Sequence, residues 1–507
     1  MLRARATAWR RLTAEPFDVL VIGGGVTGAA IAYEAARRGL RCALVERGDF
    51  ASGTSSRSSK LVHGGLRYLK EGRIALTRES VREREALLRD APGLVDPIEF
   101  VMPHYRGRKP GRATLAAGLA IYDALGGSWQ HRYSRAGDTL ALVPVLDDRA
   151  LLGAHVYRDA TTDDARLVLR LLTAASTAGA TVLNYANAAP ALESGDVVGA
   201  YVTDIAGGRS AEVRARAVIS ATGAFADGLR ECVGAAPRLR PLRGSHVLFP
   251  AWRAPLAVAV AFEHPSDGRP VFAYPWQGAT LAGTTDLDHD AGFEKEPSIA
   301  PGEVAYLLDA MRYQFPSLGL TAGDVVSTYA GIRPVVDNAH AQAPSRVSRD
   351  HVVWHERGLI TITGGKLTTF RPMALDALRA AAPRLPSFDA APRPIFVRRP
   401  GGRLSGRYGE NAAAVAAIAK DGELETIGTT PFLWAELRWA ARNEGVVHLD
   451  DLLLRRTRAG LLLHDGATQH FDRIAAICRD ELQWDAHVWE SERGRYETIR
   501  REHYSLP

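Results

Sequence analysis

Residues 19–46 read VLVIGGGVTGAAIAYEAARRGLRCALVE, and this stretch decides the fold. The apolar run from Val19 to Ile22 has the length and composition of a buried parallel strand. Gly23, Gly25 and Gly28 then keep the G-x-G-x-x-G spacing, and residues 29–38 have helical composition. A second apolar run over residues 41–45 ends on Glu46. Gly23 permits a sharp turn, Gly25 lets backbone approach a pyrophosphate, and Gly28 lets the helix lie close to the strand with its positive end toward the phosphates. Glu46 stands where such a unit sets an acid against a ribose hydroxyl, which suits FAD or NAD and argues against NADP. The spacing alone would also fit a glycine-rich turn in an ordinary α/β protein. Strand, helix, second strand and terminal acid together favour the dinucleotide.

Length and composition narrow the function classes. At 507 residues, 46% hydrophobic and 24% charged, the chain has room for two or three domains around a large core. Its net charge of +6 is small for this length, and no run of lysines is interleaved with aromatics, so nucleic acid is a poor partner. Mild basicity suits acidic small molecules or an anionic membrane surface equally well. Cys42, Cys232 and Cys478 lie far apart with no C-x-x-C spacing, which argues against a disulfide framework, a metal site or a dithiol pair. A reducing cytosolic setting is the expectation. No stretch is long and apolar enough for a spanning helix. The N-terminal segment has arginines at 3, 5, 10 and 11 and no acid before Glu15, which superficially resembles a transit peptide. It is short and poor in serine, which favours a short basic helix leading into the first strand.

After Glu46, residues 53–69 read GTSSRSSKLVHGGLRYL. Small hydroxyls and glycines dominate, so the segment can wrap a phosphate-rich ligand through its backbone N–H groups and through Thr54, Ser55, Ser56, Ser58 and Ser59. Lys60, His63, Arg67 and Tyr68 are the groups within it that can meet a substrate. Following the glycine fingerprint and Glu46, this segment closely resembles the flavin-dependent glycerol-3-phosphate dehydrogenases, which carry a near-identical serine-rich segment ending in H-G-G-L-R-Y-L. The resemblance covers nearly all of the chain from Phe17 onward. It implies an α/β flavoprotein with the two-dinucleotide-binding fold of amino-acid oxidases and glutathione reductase, with FAD stretched along the parallel sheet. An antiparallel-sheet substrate domain and an all-helical C-terminal domain complete that expectation.

Residues 74–94 suggest an amphipathic helix. Next, Arg106, Arg108, Lys109 and Arg112 precede an apolar segment over residues 115–125, the pattern of an interfacial anchor on an anionic membrane. A core helix behind a solvated basic loop explains the same residues; the resemblance favours the membrane, because these dehydrogenases pass electrons to membrane quinones. An N-cap and acids open a helix over residues 161–172. Strands are expected near residues 181–185, 197–203 and 211–213, and again at 217–220 before Ala221, Thr222 and Gly223. Residues 238–329 carry short strands of an antiparallel sheet. Residues 361–371, TITGGKLTTFR, give a strand, a glycine pair and a helix start, which can face the electron-rich end of a flavin. A linker over 392–403 leads to helical periods. The expected division is a FAD-binding domain over 17–100, 151–237 and 329–392, a membrane-facing part of the substrate domain over 101–150, its sheet over 238–328, and the helical domain over 402–507.

The resemblance also assigns roles. Gly23, Gly25, Gly28, Glu46, Thr54, Ser55, Ser56, Ser58, Ser59, Lys60, His63, Gly64, Gly65, Thr222, Gly223, Gly364, Gly365, Lys366, Leu367 and Thr368 would hold FAD. Arg333 and Arg349 would clamp a substrate phosphate, where a guanidinium makes paired hydrogen bonds. Arg67, Tyr68 and Thr284 would position the glycerol. His246 is the preferred base, since imidazole takes a proton without a large pKa shift, with Lys366 as competitor and Arg67 as a further catalytic group. The expected reaction is oxidation of glycerol 3-phosphate to dihydroxyacetone phosphate, with reoxidation by a membrane quinone at the inner face of the cell membrane. A homodimer is compatible with this. An oxygen-using oxidase of the same fold, one acting on an amino or hydroxy acid, and a non-catalytic flavin-binding scaffold are the alternatives.

Overall fold

The computed structural model describes residues 5–70, 72–109, 111–127, 129–293, 296–337, 350–399 and 402–507. Phe17–Ile22 is buried along its whole length. It pairs in parallel with Cys42–Val45 on one side and with the end of Arg209–Ser220 on the other. The sheet runs His351–Glu356, Leu359–Gly364, Arg209–Ser220, Phe17–Ile22, Cys42–Val45, Thr181–Leu183. Both faces are covered, which is why its central strands are continuous apolar runs rather than alternating ones. Val19 and Val21 point into a core shared with the helices Val26–Ala36, Asp164–Thr177 and Phe370–Ala381. Leu20 and Ile22 point the other way, into a core with Val202, Val213 and the N-terminal helix.

That helix is Arg5–Ala14. Trp9 and Leu12 are buried, Arg5 donates to Asn184 O at 2.7 Å and pairs with Asp204. A short basic helix leading into the first strand is therefore the observed form. Arg209–Ser220 joins two runs that read as separate strands in the sequence. Its first half pairs antiparallel with Asp196–Asp204, and from Ala215 it pairs parallel with Phe17–Ile22. The helix expected from residue 161 begins at Asp164, because Leu151–Thr162 stays extended; Asp163 is the cap and accepts from Arg166 N at 3.2 Å.

The second sheet has ten strands among the described residues, most of them antiparallel. Leu239–Pro250 lies between Ala279–Gly283 and Ser327–Val336, while Pro270–Trp276 and Ala259–Glu263 continue outward. Two long strands from the first half of the chain, Val95–Tyr105 and Leu151–Thr162, complete it, joined through a parallel contact with Ala259–Glu263. The helix Arg112–Gly126 packs Leu119 and Tyr122 against this sheet and leaves Ile121 exposed. Beyond residue 402 the chain is helical, with one isolated bridge between Thr426 and Leu433 among the described residues. It includes a buried π-helical turn, Asp451–Arg456.

Candidate active site

The parallel strands end together at one edge, and a cleft of about 610 Å³ lies there. Its size falls within the roughly 300–1,000 Å³ of small-molecule sites. Glu46 follows one strand, Gly23 the next, Thr222 the third and Gly364 the fourth, and all four residues line the cleft. Three strand spacings of about 4.8 Å separate the first from the last, so the edge spans about 14 Å. An extended dinucleotide suits that span, with its diphosphate over the central turn.

The glycine turn is shaped by close contact. A Cβ on Gly23 (φ +115°) would lie 2.5 Å from Ala221 O, and one on Gly28 would lie 1.9 Å from Gly23 O. Backbone occupies both places, so only glycine fits. Gly25, at the N-cap of Val26–Ala36, leaves the cleft open, and Ser55 Oγ accepts from Val26 N at 2.9 Å. Glu46 accepts from Gly24 N at 2.6 Å and Gly48 N at 2.8 Å. Burial raises its carboxyl pKa against the pull of these two donors. These residues fit the dinucleotide: helix-end N–H groups for a diphosphate and a fixed carboxylate for a ribose.

The serine-rich segment crosses from this turn to the second sheet. Thr54 Oγ1 donates to Ile332 O, Ser58 donates from both N and Oγ to Asp164, and Ser59 Oγ meets His246 Nε2 at 2.9 Å. His63 N donates to Thr368 Oγ1 at 3.2 Å, which ties the segment to the Gly364–Thr368 loop. Lys366 Nζ lies 3.6 Å from the centre of the buried Tyr68 ring and donates to Ser80 Oγ at 3.0 Å.

His246 is 1% exposed, stacked on Tyr329 with centroids 4.7 Å apart. Gly283 lies opposite it in register, where a Cβ would come within 2.3 Å of the ring. Burial pushes the His246 pKa well below the usual imidazole range, helped by the charges of Arg333 and Lys60. Its Nδ1 has no hydrogen-bond partner among the described residues. Arg333 donates to Asp286 Oδ1 at 2.6 Å and to Thr284 Oγ1 at 3.0 Å, across a space that Gly244 leaves free.

Eighteen of the expected residues line this one cleft: Gly23, Gly25, Glu46, Thr54, Ser55, Ser58, Ser59, His63, Tyr68, Thr222, Gly223, His246, Arg333, Gly364, Gly365, Lys366, Leu367 and Thr368. Others sit behind it. Gly28 underlies the turn, and Ser56 is buried beside Gly53. Gly64 N donates to Tyr122 OH at 2.8 Å, Gly65 is covered by the Tyr68 ring, and Thr284 braces Arg333. Lys60 Nζ faces away: it is fully buried, bonded to Ser56 O and Asp164, and set against the rings of Trp276 and Tyr329. Burial pulls its pKa down to about 8, against the pull of Asp164. The Arg67 side chain and Arg349 lie outside the described residues.

Sequence reasoning missed Ser80, Asp286 and the carboxylates behind the serine segment. Asp286 stands two residues beyond the expected Thr284, in the run Gly283-Thr-Thr-Asp286. Ser80 carries no signal, being a small polar residue inside a charged helix.

The chain is similar to known proteins over most of its length. Residues 18–371 match the family model described as FAD dependent oxidoreductase, and residues 398–488 match the C-terminal domain of alpha-glycerophosphate oxidase. An aerobic glycerol-3-phosphate dehydrogenase of Staphylococcus saprophyticus is 34% identical over 487 residues, covering 87% of both chains. One of Staphylococcus aureus is 32% identical over 517 residues, covering 94% of this chain and 92% of its own. Among solved structures, the glycerol-3-phosphate dehydrogenase of Bacillus halodurans complexed with FAD superimposes with a TM-score of 0.80 at 30% identity, over 99% of this chain and 98% of its own.

Proposed function

The chain belongs to the family of FAD-dependent glycerol-3-phosphate dehydrogenases, and on that premise we propose that it oxidises sn-glycerol 3-phosphate to dihydroxyacetone phosphate and passes the electrons to a membrane quinone. The observation that carries the reading is that His246, Arg333 and Lys366 line the same cleft as the glycine turn and Glu46. FAD is the cofactor, and when bound it supplies the two-electron acceptor for the hydrogen on the carbinol carbon.

The residues supply the rest. Arg333, set by Asp286 and Thr284, presents its guanidinium to the phosphate, and Arg349 is the second cation assigned to it. Tyr68 and Arg67 position the glycerol, and Thr284 acts through Arg333, which it braces from behind the cleft. His246 takes the hydroxyl proton: it lines the cleft with Nε2 at 2.9 Å from Ser59 Oγ, and a neutral imidazole carries one basic nitrogen. A pKa well below 6.5 keeps that ring neutral and ready to accept at physiological pH. Lys366, held between Tyr68 and Ser80, is the cation that stabilises negative charge developing in the cleft.

Attachment to the cytoplasmic face of the membrane is part of the proposal. Arg106, Arg108, Lys109 and Arg112 are exposed ahead of and at the start of the helix that bares Ile121, and Trp129 follows its end; these two are 51% and 72% exposed, and a basic run leading into bared apolar side chains suits an anionic interface. Among the described residues no helix is long and apolar enough to cross a membrane. The test is an anaerobic spectrum of the purified yellow protein before and after glycerol 3-phosphate. Bleaching, reversed by a soluble quinone analogue, is expected; an unchanged spectrum rejects the reaction. Because the C-terminal residues match an oxidase domain, oxygen is the second acceptor to test, and peroxide release under air with no gain from quinone would favour it.

A further inference from the structure

The loop that carries Glu46 is held from outside the dinucleotide fold. Asp49, three residues on, is 1% exposed and accepts from Arg456 through both oxygens, at 2.6 and 2.8 Å. Arg455 Nε donates to the same carboxylate. Both arginines stand on the buried π-helical turn Asp451–Arg456, about 400 positions along the chain, and insertions of this kind recur at functional sites. Burial raises the Asp49 carboxyl, but the two guanidinium groups outweigh it and hold it below the usual carboxylate range.

A second tie reaches the loop from the same turn. Tyr185 OH donates to Asp451 Oδ1 at 2.6 Å, Tyr185 N donates to Gly48 O at 2.9 Å, and Ala186 N donates to Glu46 O at 2.7 Å. Gly48 N in turn holds Glu46 Oε1. Loop and turn are therefore joined at Asp49 and again through Tyr185. Asp49, Tyr185, Asp450 and Arg455 line the cleft alongside Glu46. Burying so many charges is a poor route to stability, since apolar residues of similar volume do as well or better. What the ion pairs add is a fixed geometry for one loop.

We infer that the arginine pair of this turn positions the cofactor site: Arg455 and Arg456, through Asp49, hold the Glu46–Asp49 loop in its ribose-binding form, so that the helical C-terminal domain sets how tightly FAD is retained. The inference rests on Glu46 being the ribose-binding acid. Arg455 and Arg456 are positioning residues, acting through Asp49 and Glu46.

The experiment uses the full-length holoenzyme. FAD release is followed by the recovery of flavin fluorescence on dilution, for Arg456→Met, Arg456→Lys, Tyr185→Phe and Glu46→Gln. Arg438→Met is the control; it breaks the Arg438–Glu423 and Arg438–Glu481 pairs within the helical domain, none of which lines the cleft. Arg456→Met should raise the FAD dissociation constant about 10- to 100-fold, the range of one lost hydrogen bond to a charged group. Arg456→Lys should restore part of it, and Tyr185→Phe, a milder change suited to a chain that must still fold, should weaken FAD several-fold. The FAD-saturated Arg456 variants, changed at a residue that does not line the cleft, should keep the parent KM for glycerol 3-phosphate. If Arg456→Met and Tyr185→Phe lose FAD no faster than Arg438→Met at an equal loss of thermal stability, the turn only fastens two parts of the molecule and the inference is wrong. If Glu46→Gln retains FAD, the premise about Glu46 falls first; if Glu46→Gln sheds FAD while the arginine and tyrosine variants keep it, the inference alone falls.

Discussion

Arg333→Ala separates a phosphate clamp from a structural arginine. The side chain is 20% exposed, Nη1 is fixed by Asp286 and Nη2 by Thr284, so the plane of the guanidinium is set before substrate arrives. Two charge-assisted hydrogen bonds to a phosphate, at about 1.5–3 kcal/mol each, would total about 3–6 kcal/mol. Partial exposure screens the charge, so the lower end, about 3 kcal/mol, is the working figure, equal to roughly a 100-fold loss in kcat/KM. Removing the arginine takes its 2.6 Å hydrogen bond from Asp286, which is 3% exposed, and folding stability should fall by about 1–3 kcal/mol. The assay is a double comparison of parent and variant, with glycerol 3-phosphate and with glycerol, by stopped-flow bleaching of the flavin. Glycerol lacks the phosphate, so its rate should change less than threefold or so, within about 0.6 kcal/mol. FAD content should stay at parent level. A parallel fall with both substrates, or loss of FAD in step with loss of rate, refutes the clamp.

The other predictions follow from single contacts. His246→Ala should slow flavin reduction at least about tenfold, and a smaller change removes it as the base. In the parent, the acid limb of kcat/KM should lie well below the ordinary value of about 6.5, since burial, Arg333 and Lys60 all disfavour the charged ring; a limb at or above that value rejects the assignment. The same shift links to stability. The unfolded imidazole binds a proton as pH falls through about 6.5 while the buried one does not, so the contribution is full above that pH and is lost on going down toward the folded value. A His246→Phe variant should show a shallower acid decline in denaturation midpoint. Gly28→Ala drives a Cβ to 1.9 Å from Gly23 O and should yield protein without flavin, whereas Gly39→Ala, with φ +82° but open space around it, should cost only about 1 kcal/mol and stay yellow. Trp129→Ser with Ile121→Ser should reduce sedimentation with anionic vesicles, and parent-level binding by that double variant would move the membrane face elsewhere.

The glycine turn was legible because backbone geometry dictates residue type within a few positions: only glycine fits at Gly23 and Gly28, and the acid at 46 follows one strand later. The antiparallel sheet was legible as a class but incomplete as a list. Val95–Tyr105 and Leu151–Thr162 pair with partners far along the chain, and pairing at that distance leaves no local pattern.

By itself, then, the sequence determined the parallel dinucleotide fold, the glycines it requires, the helical C-terminal part and the resemblance that points to FAD. Only the tertiary structure decided which polar groups act together. Ser59 meets His246 across 187 positions, Arg333 meets Asp286 across 47, and Arg456 meets Asp49 across 407. It also turned Lys60 away from the cleft and into a buried pair with Asp164. The physical reason is range. A turn or a strand is fixed by neighbours a few bonds away, while a buried charge must find its counter-charge wherever the packed chain delivers one, and that partner is chosen by the fold.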